Sequence, residues 1–325
     1  MAQERTSQPT RAPQTGSPAS ARPAPTGEQW VIAHGHQEAV VTEVGATLRA
    51  YSAAGRDVVQ GFGPSEWSHE GRGQVLAPWP NRLGDGRYEW HGVRAQAALD
   101  EPDLHNAIHG LVRWLPWRLE AHAQNVVTLT CALRPTPGYP WSLDLRVEYR
   151  LRRDGLAVTT TATGVDDDAV PFGLGFHPYL TAGGDRIDTA FLEVPARERL
   201  VVDDRSLPTG EPKRVEGTEL DFRVGRPLGT TRLDTAFTGL VRTADGLVRV
   251  RLEDRDAGGA VELWADDRFR YLMCFTGDEL DQERRRTAIA VEPMTCPPDA
   301  FRSGRDLVVL GPGESWEGRW GLRPG

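Results

Sequence analysis

From Leu143 to Leu151 the chain alternates strictly with a period of two. Leu143, Leu145, Val147, Tyr149 and Leu151 fall on one face, and Asp144, Arg146, Glu148, Arg150 and Arg152 on the other. Successive side chains of a strand point to opposite faces, so this segregation of apolar from charged residues specifies a half-buried strand and not a helix. Asp154-Gly155 supplies a turn, and Leu156, Val158 and Thr160 resume the alternation, which makes the unit a hairpin. The segments VVTLTCALR, LVRVRLEDR, AVELWADD, RYLMCFTG and TAIAVEP carry the same kind of signal. Turn signals separate them, at Gly84-Asp85-Gly86, Asp245-Gly246, Gly258-Gly259 and Gly311-Pro312-Gly313, in a chain with 35 Gly and 24 Pro. Long amphipathic helical patterns are absent. Strands with one apolar face must bury it against other strands, so the expected fold class is all-β, a large antiparallel sandwich or barrel.

No repeat of fixed period and no interior low-complexity linker divides the chain, so residues 28–325 are expected to form a single domain. The stretch from Arg197 to Gly229 is less regular and is expected to be an ordered excursion from the sheets. Residues 1–27 are rich in Pro, Ser, Thr, Ala and Gln and poor in large apolar residues, the composition of a disordered tail, and they lack the apolar segment of a secretion signal. The chain carries 38 Lys+Arg against 46 Asp+Glu, a net charge of -8, with scattered arginines. That balance argues against a nucleic-acid partner. No apolar run reaches the ~18 residues of a membrane span. Cys131, Cys274 and Cys296 are far apart, show no metal-ligand spacing and are odd in number, which predicts a reducing, cytoplasmic setting without a disulfide framework.

The residues able to carry chemistry stand where strand patterns break. Asn81-Arg82 precede a glycine turn. A guanidinium there can donate as a fork to hydroxyls or a carboxylate, or can be a surface arginine beside a hairpin. His105 and His109 are four apart, yet the glutamate of a helical zinc motif is missing. His109 reads either as a hydrogen-bonding or acid/base group at a loop tip or as a core histidine under Trp114 and Trp117. His177, in GLGFHPYL, precedes Pro178, which restricts it to extended geometry, while Gly173 and Gly175 allow close backbone approach. Burial by Phe172, Phe176 and Tyr179 brings such an imidazole into play as an acid/base, and a histidine ending a strand is the structural alternative. Asp234 follows an irregular tract and reads as an acceptor for hydroxyls or as a helix cap. Glu292 is delivered by the apolar run Ala288–Val291, and Pro293 is expected to stop that strand. A carboxylate at the mouth of a buried strand is costly unless paired or functional. Nothing near Cys296 lowers its pKa, so it reads as a packing residue.

Taken together, NRLGDGRYEWHG, NAIHGLVRWLPW, GFHPYL, LDTAF and VEPMTCPPDAF resemble, in order, the motifs of the aldose 1-epimerase (galactose mutarotase) family, nearest its bacterial His-Gly-Leu-Val-Arg branch. The resemblance covers Val31 to Trp320. It implies a galactose mutarotase-like β-supersandwich with an open sugar cleft. It further implies Glu292 as general base on the anomeric hydroxyl, His177 as general acid on the ring oxygen, and His109 as the second active-site histidine. Arg82 and Asp234 resemble the sugar-hydroxyl binders, with Asn81, Trp114 and Tyr179 beside them. Trp79, Trp114 and Trp141 are candidate platforms for a sugar face. The implied reaction interconverts the α and β anomers of a free aldose with no cofactor and no metal, in a monomer or homodimer whose partner is a small monosaccharide. Alternatives on the same fold are a hexose-6-phosphate or modified-sugar 1-epimerase and a non-catalytic sugar-binding module. The catalytic reading requires His177 and Glu292 to face each other across a gap wide enough for a sugar ring.

Overall fold

A computed structural model describes residues 24–325. Apart from one α-helical turn, Ala300–Ser303, and two 3-10 turns, its regular elements are strands. They form two large antiparallel sheets, twelve-stranded and nine-stranded, with three small two-stranded ribbons. The hairpin expected from the alternation is present as Leu143–Arg152 paired with Gly155–Gly164, with Leu145 opposite Ala162 and Val147 opposite Thr160. Its apolar residues are buried and its charged ones are not, as the period-two pattern requires. One continuous core joins the sheets: Ile32, Val41 and Tyr51 of the larger pack in the same cluster as Leu145, Val158 and Trp320 of the smaller. The sheets therefore make a supersandwich.

The first 23 residues of the expected tail lie outside the described residues. Its last four, 24–27, close a turn, with the Gly27 N–H donating to Ala24. Thr26 is buried, and its carbonyl accepts the Val44 N–H at 3.0 Å. The excursion over 197–229 is ordered by buried Leu200, Leu207, Val215, Phe222 and Leu228. Arg205 ties it to the rest of the fold through Asp85 and the carbonyls of Leu104 and His105. The three cysteines are free and buried. Among the described residues no helix is long and apolar enough to cross a membrane.

The strand that organises the site is Ile289–Met294, in the middle of the twelve-stranded sheet and buried at every position. Pro293 does not stop it, as the sequence had suggested. Pro293 lies opposite Leu272 of Tyr271–Phe275 on one side. On the other side the neighbouring strand is broken: Gly175–Phe176 pairs at Met294, Tyr179–Leu180 pairs at Ala290 and Ile289, and His177-Pro178 falls between. A proline removes a ladder donor, and it is tolerated here because the ladder is open beside it. The backbone of His177 turns instead to the segment before it in the fold: its N–H donates to Gln74, and its carbonyl accepts from Gly73.

Candidate active site

The break in the ladder opens onto a cleft of about 270 Å³. The catalytic and sugar-binding candidates of the sequence line it: Asn81, Arg82, His109, Trp114, His177, Tyr179, Asp234 and Glu292. Larger grooves of about 760 and 830 Å³ lie on the nine-stranded sheet, but they are walled by arginines and carboxylates in ladders and contain no histidine. Acid/base chemistry therefore has its place in the smaller cleft. Trp114 is half exposed at its wall, whereas Trp79 and Trp141 are core residues and offer no sugar platform.

His177 and Glu292 do not stand across a ring-sized gap. The imidazole Nε2 lies 3.3 Å from Glu292 Oε1, and the cleft opens beside the pair. Both side chains are almost wholly buried, and Glu292 Oε2 and His177 Nδ1 have no protein partner. Burial, reinforced by nearby Asp234, raises the Glu292 pKa well above the ordinary carboxyl value. Burial, helped by Arg72 and Arg113, lowers that of His177 to about 3. The two shifts point the same way: burial disfavours both charges, so a proton shared by the pair is favoured on the carboxyl. Sharing one proton between coupled groups is a property of the pair, not of either residue.

His109 completes the cluster, its ring 5.2 Å from that of His177 and edge-on to it. It sits in a left-handed backbone position, φ 64°, as does Asn81 at φ 57°. The two lock each other: the His109 N–H donates to the Asn81 carbonyl, and the Asn81 N–H to His109 Nδ1. Asn81 Oδ1 accepts the Arg82 N–H, so this asparagine shapes the loop that aims Arg82. Burial, and next the His177 ring, push the His109 pKa well down. The imidazole is therefore neutral. Because its Nδ1 is an acceptor, its proton resides on Nε2.

That tautomer bears on metal binding. Atoms of His109, His177 and Glu292 lie within 4.8 Å of one another, a His/His/Glu set of the kind that holds zinc. Metal-bound imidazoles, however, donate from the free ring nitrogen to an acceptor. His109 does the opposite, so the cluster suits proton transfer and hydrogen bonding better than metal ligation. His105, the other histidine of the pair, is exposed and bound to Asp85, away from the cleft.

Sequence reasoning missed the groups that hold the arginines. Glu101 grips Arg82 through Nε and Nη2, and Asp234 lies 3.6 Å from its Nη1. Asp100 takes Arg113 at 2.6 Å and the Ile108 N–H at 2.7 Å. Asp100-Glu101 stands just ahead of the two-histidine segment, and an acidic pair there was the available signal. Met273, Phe275 and Leu280, which form an apolar wall, carried no signal beyond ordinary strand hydrophobicity.

The chain is similar in sequence and in fold to known proteins. The sequence model of a family described as aldose 1-epimerase matches residues 28–323. The uncharacterized protein YihR of Escherichia coli is 33% identical over 290 residues, covering 89% of this chain and 91% of that one. Human galactose mutarotase is 26% identical over 301 residues, 84% of this chain and 86% of its own. The crystal structure of a GalM/aldose epimerase homologue from C. elegans superposes with a TM-score of 0.81 at 21% identity, covering 92% of this chain and 98% of that one.

Proposed function

The chain belongs to the aldose 1-epimerase family, and we propose that it equilibrates the α and β anomers of a free, uncharged aldose by acid/base ring opening at Glu292 and His177. The observation that carries this reading is the 3.3 Å contact between a buried carboxyl and a buried imidazole at the floor of a sugar-sized cleft. Mutarotation takes the proton from the anomeric hydroxyl, forms the C1 carbonyl as the C1–O5 bond breaks, and delivers a proton to O5. Glu292 accepts the first proton and His177 supplies the second. Rotation about C1–C2 presents the other carbonyl face, and reclosure runs the same transfers backwards. The working state, carboxylate with imidazolium, has the same proton count as the neutral pair. Bound hydroxyls that hydrogen-bond to the two charges shift the pair toward it. His109, with its proton on Nε2, donates to the ring oxygen or a neighbouring hydroxyl.

An uncharged substrate fits the arginines. Arg82 and Arg113, the two guanidinium groups lining the cleft, are each matched by a carboxylate, Glu101 and Asp100. A phosphate entering here meets no unmatched cation among the lining residues, which disfavours a sugar phosphate. The volume, about 270 Å³, falls just below the ~300–1,000 Å³ usual for small-molecule sites and suits a single ring.

The test is polarimetry on freshly dissolved α-D-glucose, α-D-galactose and a wider aldose panel. Faster equilibration with the wild-type chain, absent in the Glu292→Gln variant, is the expected result. No acceleration on any sugar would remove the enzymatic reading in favour of a binding module. A second expectation concerns Glu101→Gln, which breaks the charge-assisted grip on Arg82. Hydrogen bonds to charged groups are worth ~1.5–3 kcal/mol. The KM for the sugar should therefore rise roughly tenfold or more in initial-rate polarimetry, with a smaller change in kcat, since the Arg82 charge that Glu292 feels is retained.

A further inference from the structure

Arg72 is buried at the back of the site and takes no part in the chemistry above. Its Nε and Nη2 have no hydrogen-bond partner, and the carboxylate nearest Nη2, that of Glu70, is 3.7 Å away. A buried cation so poorly satisfied is costly, by several kcal/mol before compensation. Its guanidinium carbon instead lies 4.1 Å from the centre of the Tyr179 ring. That ring is stacked on His177, with centroids 5.1 Å apart and planes 13° from parallel, and its hydroxyl is tied to the Glu70 carbonyl. The segment carrying Arg72 also holds His177 by its backbone, through Gly73 and Gln74. Gly71, at φ 72°, is close enough that a Cβ there would sit 2.7 Å from His177 Cδ2.

We propose that Arg72 is a positioning residue for the acid: through the Tyr179 ring it holds the His177 imidazole against Glu292. The inference rests on the acid role proposed for His177. The other charged or titratable groups around that imidazole are Glu292 on the central strand, His109 on its loop, Arg113 on the Val112–Trp114 turn and Glu70 beside Arg72. None of them stacks on Tyr179, so among these groups Arg72 alone reaches His177 through the ring. Its charge also opposes protonation of His177.

The experiment compares wild type, Arg72→Met and Arg72→Lys in the full chain, by polarimetry and by titration of the His177 ring nitrogens with ¹⁵N NMR. Arg72→Met should lose roughly tenfold in kcat, the scale of a slightly misplaced catalytic group, with KM within about twofold. Its His177 titration should move up from about 3 by the share that the Arg72 charge contributes, while burial keeps it below the ordinary value. Arg72→Lys keeps the charge without the flat guanidinium, so it should titrate as wild type and recover only part of kcat. Two outcomes would overturn the proposal: a Met variant with unchanged His177 titration and unchanged kcat, or a kcat loss that only tracks the folded fraction by circular dichroism. If the wild type turned over no sugar while Arg72→Met still moved the His177 titration, the coupling would stand and the functional reading would fall.

Discussion

Replacing Glu292 with Gln is expected to lower kcat by a factor of ~10²–10⁴, the usual contribution of a positioned acid/base group, while KM changes little. The amide keeps the shape and the hydrogen-bonding capacity of the protonated carboxyl, so ground-state binding survives. What it cannot do is accept the proton from the anomeric hydroxyl. A loss confined to kcat marks an interaction used in the transition state, whereas a loss through KM would mark a binding residue. The same variant should be more stable than the wild type at neutral and alkaline pH. The native carboxyl has a raised pKa, whereas the unfolded one titrates near 4.5. Stability linked to that proton is fully present below the unfolded value and is lost as pH rises toward the native one. The Gln variant has no such loss. Denaturant melts of the two proteins should coincide near pH 4 and separate as pH rises, with the variant above. A variant that lost activity and stability together at pH 8 would mark Glu292 as structural.

Alternation like that from Leu143 to Leu151, repeated along the chain between Gly/Pro turns, was enough for an all-β class, because the period of side-chain direction in a strand is fixed by backbone geometry; the supersandwich came from the family resemblance. Glu292 was legible for a related reason: a carboxyl at the end of an apolar run has no cheap structural explanation. Pro293 shows where local reading stops. A proline after a strand normally ends it, and here it does not, because the donor it lacks would face the gap at His177-Pro178. That gap is made more than a hundred residues earlier in the chain, so no window around Pro293 contains the information. The predicted distance between His177 and Glu292 failed similarly. Sequence order placed both at the site, but their 3.3 Å contact depends on how one broken strand lies beside its neighbour. Arg72 and Glu101 were invisible because their meaning is a partner: the Tyr179 ring for one, the Arg82 fork for the other.

Replacing His177 with Asn tests the other half of the mechanism and should invert part of the pH profile. In the wild type the productive site carries one proton between His177 and Glu292. Below the lowered His177 value, about 3, the pair takes up a second proton, and Glu292 can no longer act as a base. Above the raised Glu292 value the pair gives up its only proton, and nothing remains to protonate O5. The free-enzyme profile, kcat/KM, is therefore expected to be a plateau above about 3 that falls once pH passes the raised Glu292 value. It also reverses the usual order, in which the carboxyl would set the acid limb and the imidazole the alkaline one. In His177→Asn only Glu292 titrates. Its protonated form is inactive as a base and its ionised form is active, so kcat/KM should rise with pH through the region where the wild type falls. At neutral pH the variant should be slower by ~10²–10⁴, as for loss of a general acid. The measurement is polarimetric kcat/KM across pH for both proteins. Parallel alkaline limbs would mean that the imidazole does not share the proton of Glu292, and the roles assigned to the pair would have to be given up.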